Sequence, residues 1–360
     1  MENFVNNSPL ILVIVFLVIG FCFLIKGADF FVEGSSSIAK RLLVPPIIIG
    51  LTIVAMGTSL PETAVSVSAS IAGNNELAIS NVVGSNIFNL MFVVGICAIL
   101  STITVQRETV TRDIPFSMIC ALLLLGLGIL ALGDRSGMTL GRLDGIIFLA
   151  LFAGYILVMI RSAMKARSQE TEIDEFVREE SRILSLPRSL IYIVGGAAAI
   201  AFGGDLTVDA ASRIAIDLGM SQTLVGLTIV SIGTSLPELV TSIVAARKNE
   251  VEMAVGNAVG SNIFNILMVL GIASAINPIT LIRENIIDIA ILIGFSVLVW
   301  IFAATKRKIT WKEGLSMVIL YLIYAASVSY THLREIMSKA VSFKVALPCG
   351  LVSPVSKSRF

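Results

Sequence analysis

The sequence predicts an all-α polytopic membrane protein, with ten transmembrane helices forming two inverted five-helix repeats. Three observations predict this. The first is composition: of 360 residues, 56% are hydrophobic and only 14% charged, against roughly 25% charged in a soluble domain. The second is the set of long uncharged apolar runs, each near the roughly 20 residues that cross a bilayer. The third is a repeat: residues 50–99 align with 226–275 at a constant offset of 176, without a gap.

The runs lie at about 9–33, 43–72, 76–100, 113–133, 143–160, 188–211, 219–246, 252–276, 286–304 and 312–329. No stretch shows strand alternation. The first run lacks a basic leading segment and a small-residue cleavage site, so it reads as a retained span and not a signal peptide. The divisions are 1–160 for the first five-helix repeat, 161–187 for a cytoplasmic linker and 188–329 for the second repeat. Residues 330–360 carry His332, Pro348 and Pro354 with scattered basic residues. They read as a tail outside the fold, disordered or not native to it.

Basic residues set the orientation, because positive loops stay in the cytoplasm. With the N-terminus outside, the inner loops hold Lys40, Arg41, Arg107, Arg112, Lys248 and Arg307 among others, and the outer loops hold Arg135, Arg142, Arg213 and Arg283. Both termini are then extracytoplasmic, in a multi-pass protein of the plasma (inner) membrane surrounded by lipid.

Other classes fall away on composition. A net charge of +1 offers nothing to nucleic acid. One histidine and four unpaired-looking cysteines leave little for enzyme chemistry, zinc or disulfides. No obligate protein partner and no cofactor are evident.

The repeat carries the chemistry. GLTIVAMGTSLPE (50–62) returns as GLTIVSIGTSLPE (226–238), and NVVGSNIFN (81–89) as NAVGSNIFN (257–265). Five spans separate equivalent positions, so the second copy enters the membrane upside down, a transporter arrangement with its site where the copies meet. Identity falls on polar residues, which packing alone would not preserve. Glu62 is the single charge in 42–75, and Glu238 the single charge in 218–246. Carboxylates at bilayer depth need a partner or a wet cavity. Neither has a Lys or Arg nearby in sequence, and two such groups ask for a cation.

Oxygen surrounds them. Ser59, Glu62, Ser66 and Ser70 share one helical face, and Ser235, Glu238 and Ser242 repeat it. Asn81, Ser85 and Asn89 are matched by Asn257, Ser261 and Asn265. Such oxygen suits hard cations, not copper or zinc. Pro61 lacks an N–H and crowds the carbonyl of Gly57, and Pro237 does the same to Gly233. The run 42–75 would span about 51 Å as one helix against a core of about 30 Å. It must tilt or break, and G-T-S-L-P is the natural break.

GTSLPE with G-S-N-I-F-N, present twice, resembles the α-repeats of the sodium/calcium exchanger family, within the cation/calcium exchanger superfamily, over roughly residues 9–329. The resemblance implies an antiporter exchanging sodium for calcium by alternating access. Both ions would compete for one central site. Glu62 and Glu238 would be the shared carboxylate ligands. Thr58, Ser59, Thr234 and Ser235 would add hydroxyl and backbone oxygen. Ser85 and Ser261 would complete flanking sodium positions, and Asn89 and Asn265 the centre. Backbone oxygens of Ala55 and Ser231 are further candidates. The first and sixth spans would move against the other eight. Many relatives have aspartate where this chain has Asn265, so the core holds two formal charges, which implies independence from potassium. A proton/calcium exchanger and a cation channel are the competing readings. Asp29 and Asp205 are a matched pair at the repeat offset, and Lys26 is the neighbour placed to pair with Asp29.

Overall fold

The computed structural model describes residues 2–130, 138–169, 183–220, 225, 229 and 231–345. The apolar runs are helices. α1 is Leu10–Leu42; α2 (Pro46–Thr58) and α3 (Leu60–Ile71) form one element bent by 50°. α4 is Asn75–Leu100, α5 is Thr109–Leu130, α6 is Arg142–Gln169 and α7 is Leu186–Asp217. α8 is Leu236–Arg247, preceded by a short helical piece Ser231–Gly233; α9 is Val251–Ile276 and α10 is Arg283–Ala304. α11 is Trp311–Val345.

Among the described residues, seven helices are long and apolar enough to cross a membrane, and the bent pair α2–α3 makes an eighth. The seventh expected run, 219–246, includes 221–224, 226–228 and 230, and the linker includes 170–182; both sets lie outside the described residues.

Three expectations need correction. The first span does not stop near residue 33 but continues to Leu42, beyond Glu33, where it ends in a left-handed residue, Leu43 at φ 55°. Residues 330–345, expected as a tail, continue α11 as helix to Val345; 346–360 lie outside the described residues. Short strands also occur. Ile103–Thr104 (β1) pairs antiparallel with Lys308–Ile309 (β4), and Thr139–Leu140 (β2) with Ile279–Thr280 (β3). Each ribbon joins two loops that the basic-residue count assigns to one membrane side.

Burial separates two classes of helix. The most apolar stretches of α4 and α9 are each 78% buried, whereas those of α1 and α7 are 22% and 33% buried. The helices with the polar stripes are therefore the centre, and α1 and α7 lie against it with much of their surface facing lipid. Ile11 on α1 and Val194 on α7 are exposed, as lipid contact favours.

α1 and α7 pack along each other through small residues, which bring backbones close inside a membrane. A Cβ on Gly27 would stand 2.9 Å from the Ile200 nitrogen, and one on Gly203 would stand 2.7 Å from the Gly20 oxygen. Phe23 against Phe202 and Phe30 against Tyr192 flank this seam.

The far end of α1 is tied by charge. Lys248 Nζ lies 2.6 Å from Asp29 and 3.6 Å from Glu33, and Lys40 lies 3.3 Å from Glu250. Ser36 also donates to Glu250. The pairing assigned to Lys26 is thus made by Lys248, which the α8–α9 turn carries over to α1.

Candidate functional site

Both helix breaks fall where proline dictates. Pro61 occupies the first turn of α3, where its missing N–H costs nothing. Ser59 sits between α2 and α3 with non-helical ψ of 11°, and Ser235, before α8, has ψ of 5°. The chain bends at these serines, and each starts a helix that carries a glutamate in its first turn. A helix N-terminus favours negative charge, so Glu62 and Glu238 stand at a favourable end.

Backbone bonds close around both breaks. The Ser59 N–H donates to the Ala55 oxygen at 3.0 Å, while the Ser235 N–H donates to the Ile232 oxygen at 3.1 Å. Ala55 is thus engaged by the backbone, and also by Thr58 Oγ1 at 3.4 Å.

All ten side chains expected at the site are buried: Thr58, Ser59, Glu62, Ser85, Asn89, Thr234, Ser235, Glu238, Ser261 and Asn265. Their hydrogen bonds run across the repeats. Ser235 Oγ donates to Glu62 Oε1 at 3.1 Å, and Ser59 Oγ donates to Glu238 Oε1 at 2.9 Å. Ser235 lies 3.0 Å from Ser85, and Ser59 lies 3.0 Å from Ser261. Thr58 donates to Asn257 Oδ1 at 3.0 Å, and Thr234 to Asn81 Oδ1 at 3.3 Å. Every one of these bonds has a counterpart reached by exchanging residues at the offset of 176.

A further layer stays within each repeat. Asn81 Nδ2 donates to Ser66 and Asn257 Nδ2 to Ser242, both at 3.0 Å. These bonds fix the amide oxygens of Asn81 and Asn257 toward the threonines. Ser70 turns away from the site and donates to the Ala273 oxygen at 2.7 Å.

Oxygen remains unpaired at the centre. Among the described residues, Glu62 Oε2, Glu238 Oε2, Asn89 Oδ1 and Asn265 Oδ1 are buried without a hydrogen-bond partner. Neither glutamate forms an ion pair with Lys or Arg among the described residues. Leaving such groups bare is costly; a hard cation satisfies several at once. No three His, Cys, Asp or Glu residues converge among the described residues, so the arrangement is two carboxylates supplemented by hydroxyl and amide oxygen. Asn89 and Asn265 sit in π-helical turns, Phe88–Val93 and Asn265–Val269. Such turns insert one extra residue and are frequent at functional positions.

A cavity of about 690 Å³ approaches from one side, between α3 and α7, lined by Pro61, Ser68, Asp205, Asp209 and Thr234 among others. Asp205 thus faces a cavity, whereas its repeat counterpart Asp29 is held by Lys248.

Sequence reasoning missed Asn86 and Asn262. They lie in the G-S-N-I-F-N motifs but off the four-residue stripes. Asn86 Nδ2 donates to the Asn262 oxygen at 3.1 Å, and Asn262 Nδ2 to the Asn86 oxygen at 3.0 Å. Their place in both motif copies was the available signal.

Comparison with known proteins gives these features a family. The family model for sodium/calcium exchanger protein matches residues 12–161 and 188–330. Sodium/calcium exchanger MaX1 of Methanosarcina acetivorans is 30% identical over 341 residues, covering 87% of this chain and 97% of the relative. Putative antiporter CaxA of Alkalimonas amylolytica is 41% identical over 264 residues, covering 73% of this chain and 81% of the relative. A solved structure of the sodium-calcium exchanger NCX_Mj is similar with a TM-score of 0.76 at 32% identity, covering 89% of this chain and 99% of that one. The chain, with its doubled motif and its paired buried glutamates, belongs to the sodium/calcium exchanger protein family.

Proposed function

We propose that this chain is a secondary antiporter that exchanges sodium for calcium across the plasma (inner) membrane by alternating access. The observation that carries the reading is the crosswise capping of two buried carboxylates, each held by a serine of the other repeat and each keeping one oxygen unpaired. In this reading Glu62 and Glu238 are shared ligands to both ions. Thr58, Thr234, Ser59 and Ser235 add hydroxyl and backbone oxygen. Ser85 and Ser261 complete flanking sodium positions, and Asn89 and Asn265 the centre. Backbone oxygens of Ala55 and Ser231 join them.

Charge accounts for exchange in place of co-transport. Two carboxylates are balanced by one calcium ion or by two or three sodium ions, so the two substrates compete. An empty site leaves two uncompensated charges at depth, which makes its closed form costly and suppresses leak. A tenfold sodium gradient supplies about 1.4 kcal/mol per ion, and the membrane potential about 2.3 kcal/mol per charge per 100 mV. Several sodium ions therefore drive one calcium ion outward.

The architecture in this proposal is ten spans in two inverted halves, with α1 and α7 as the moving pair. Their close packing on each other along the glycine seam, with much of their remaining surface facing lipid, supports their moving as one body. With the N-terminus outside, the cavity beside Asp205 is the extracytoplasmic access path, and the Lys248 ion pairs lie on the cytoplasmic side.

Transport in proteoliposomes, with sodium, potassium and pH gradients varied separately, tests the proposal. Calcium uptake should follow an outward sodium gradient and be unchanged when potassium is replaced by choline. Uptake driven by a pH gradient without sodium would assign proton coupling instead, and uptake indifferent to trans sodium would assign a channel.

The orientation has its own test. In a cysteine-free background, Ser68→Cys in intact cells should react with a membrane-impermeant thiol reagent, and labelling only after permeabilisation would reverse the topology.

A further inference from the structure

We infer that Asn86 is a positioning residue that fixes Asn265 as a neutral oxygen ligand of the central site. The inference rests on the proposed ligand role of Asn265. Four buried asparagines, Asn86, Asn89, Asn262 and Asn265, meet at the centre where α4 and α9 cross. Two of them brace the crossing symmetrically: each of Asn86 and Asn262 donates its Nδ2 to the backbone oxygen of the other.

The next layer breaks the symmetry. Asn265 Nδ2 donates to Asn86 Oδ1 at 3.1 Å. The counterpart bond, from Asn89 to Asn262, is not made; Asn89 Nδ2, Asn89 Oδ1 and Asn262 Oδ1 are all without a partner among the described residues.

The brace dictates what Asn86 can do. Its Nδ2 is committed to the Asn262 carbonyl. Turning the amide over would set oxygen against oxygen there. Asn86 Oδ1 must therefore face residue 265 as an acceptor, and only a donor satisfies it. Asn265 meets this with Nδ2, and its own Oδ1 is left unpaired and aimed elsewhere. An ionised carboxylate at 265 would present a second acceptor to Asn86 Oδ1. The arrangement thus selects an amide at 265 and holds the core at two formal negative charges. Asn89 has no such anchor, so the two repeat-related amides are inequivalent: one is fixed, the other adjustable.

A comparison of Asn86→Leu with Asn262→Leu separates positioning from bracing. Each variant removes one bond of the reciprocal brace, but only Asn86→Leu releases Asn265. Half-saturation for ⁴⁵Ca uptake in sodium-loaded proteoliposomes should rise about tenfold in Asn86→Leu and stay within about twofold in Asn262→Leu. In the Asn265→Ala background, Asn86→Leu should add nothing, since a residue acting through another loses its effect with it. Equal shifts in both leucine variants, or an additive effect with Asn265→Ala, would overturn the inference. An unchanged half-saturation in Asn265→Ala alone would instead overturn the ligand role beneath it. Should the leucine variants fail to fold, Asn86→Thr against Asn262→Thr makes the same comparison: a rise confined to Asn86→Thr supports the inference, and equal shifts overturn it.

Discussion

Replacing either Glu62 or Glu238 by glutamine abolishes sodium-driven calcium exchange, with a loss of at least about 100-fold in ⁴⁵Ca uptake by sodium-loaded proteoliposomes. Glutamine has nearly the same volume and keeps an oxygen for the bond from Ser235 or Ser59, so helix packing and the crosswise caps survive. What disappears is one of two negative charges. Both carboxylates are fully buried, and neither has a Lys or Arg partner among the described residues. A divalent cation entering the altered site would bring one uncompensated positive charge, and such charges cost several kcal/mol in low dielectric. A hundredfold loss corresponds to only about 2.7 kcal/mol, so the expected effect exceeds that threshold. The two variants should be similarly impaired, because the serine caps on the two carboxylates are exchange-related. Retention of a tenth or more of the uptake in both variants would remove the glutamates from the site.

Both glutamates were legible in the sequence because a charge alone in a long apolar run is conspicuous at any depth. The bend at G-T-S-L-P was legible for a different reason: the run 42–75 is too long for one upright span, and proline fixes where the helix yields. Helix positions such as α4 at Asn75–Leu100 followed from hydropathy alone. Long-range pairing did not. Spacing places Ser59 and Glu62 on one face, yet Ser59 serves Glu238, the glutamate of the other repeat. Asn86 sits about 100° off the Asn81–Ser85–Asn89 stripe, and only the crossing of α4 with α9 gives it a partner. Lys26 is the near neighbour of Asp29 in sequence, but the α8–α9 turn delivers Lys248 instead. The extent of α1 is hidden for a related reason. Glu33 looks like the end of an apolar run until Lys248 is seen to neutralise the same stretch of helix.

Those ion pairs make α1 the place to test movement. Cross-linking Ser36→Cys to Glu250→Cys with a short bis-thiosulfonate reagent should stop exchange almost completely, with recovery on reduction. Ser36 donates directly to Glu250, and Lys40 reaches the same carboxylate, so the two positions touch in this conformation. Exchange by alternating access requires the site to open to the opposite side. In this structure a cavity reaches Thr234 between α3 and α7, on the other side from the Lys248 cluster under the proposed orientation. If α1 and α7 move as a pair along their glycine seam, opening the second side must separate α1 from the α8–α9 turn. A covalent tie between 36 and 250 prevents that separation without touching any proposed ligand. Calcium binding from the cavity side should therefore survive in the cross-linked protein while transport does not. Tracer binding to cross-linked, detergent-solubilised protein distinguishes these two outcomes. Full exchange in the cross-linked form would show that α1 stays fixed to α9 during transport and would assign the motion to other helices. Breaking the neighbouring Lys248 ion pairs should act in the opposite sense. Lys248→Ala removes both the Asp29 and Glu33 pairs, and such partly exposed pairs contribute about 0–1 kcal/mol each. The population should then shift toward the conformation open on the Lys248 side, raising the reactivity of Ser36→Cys toward thiol reagents a few-fold while leaving the carboxylate site intact.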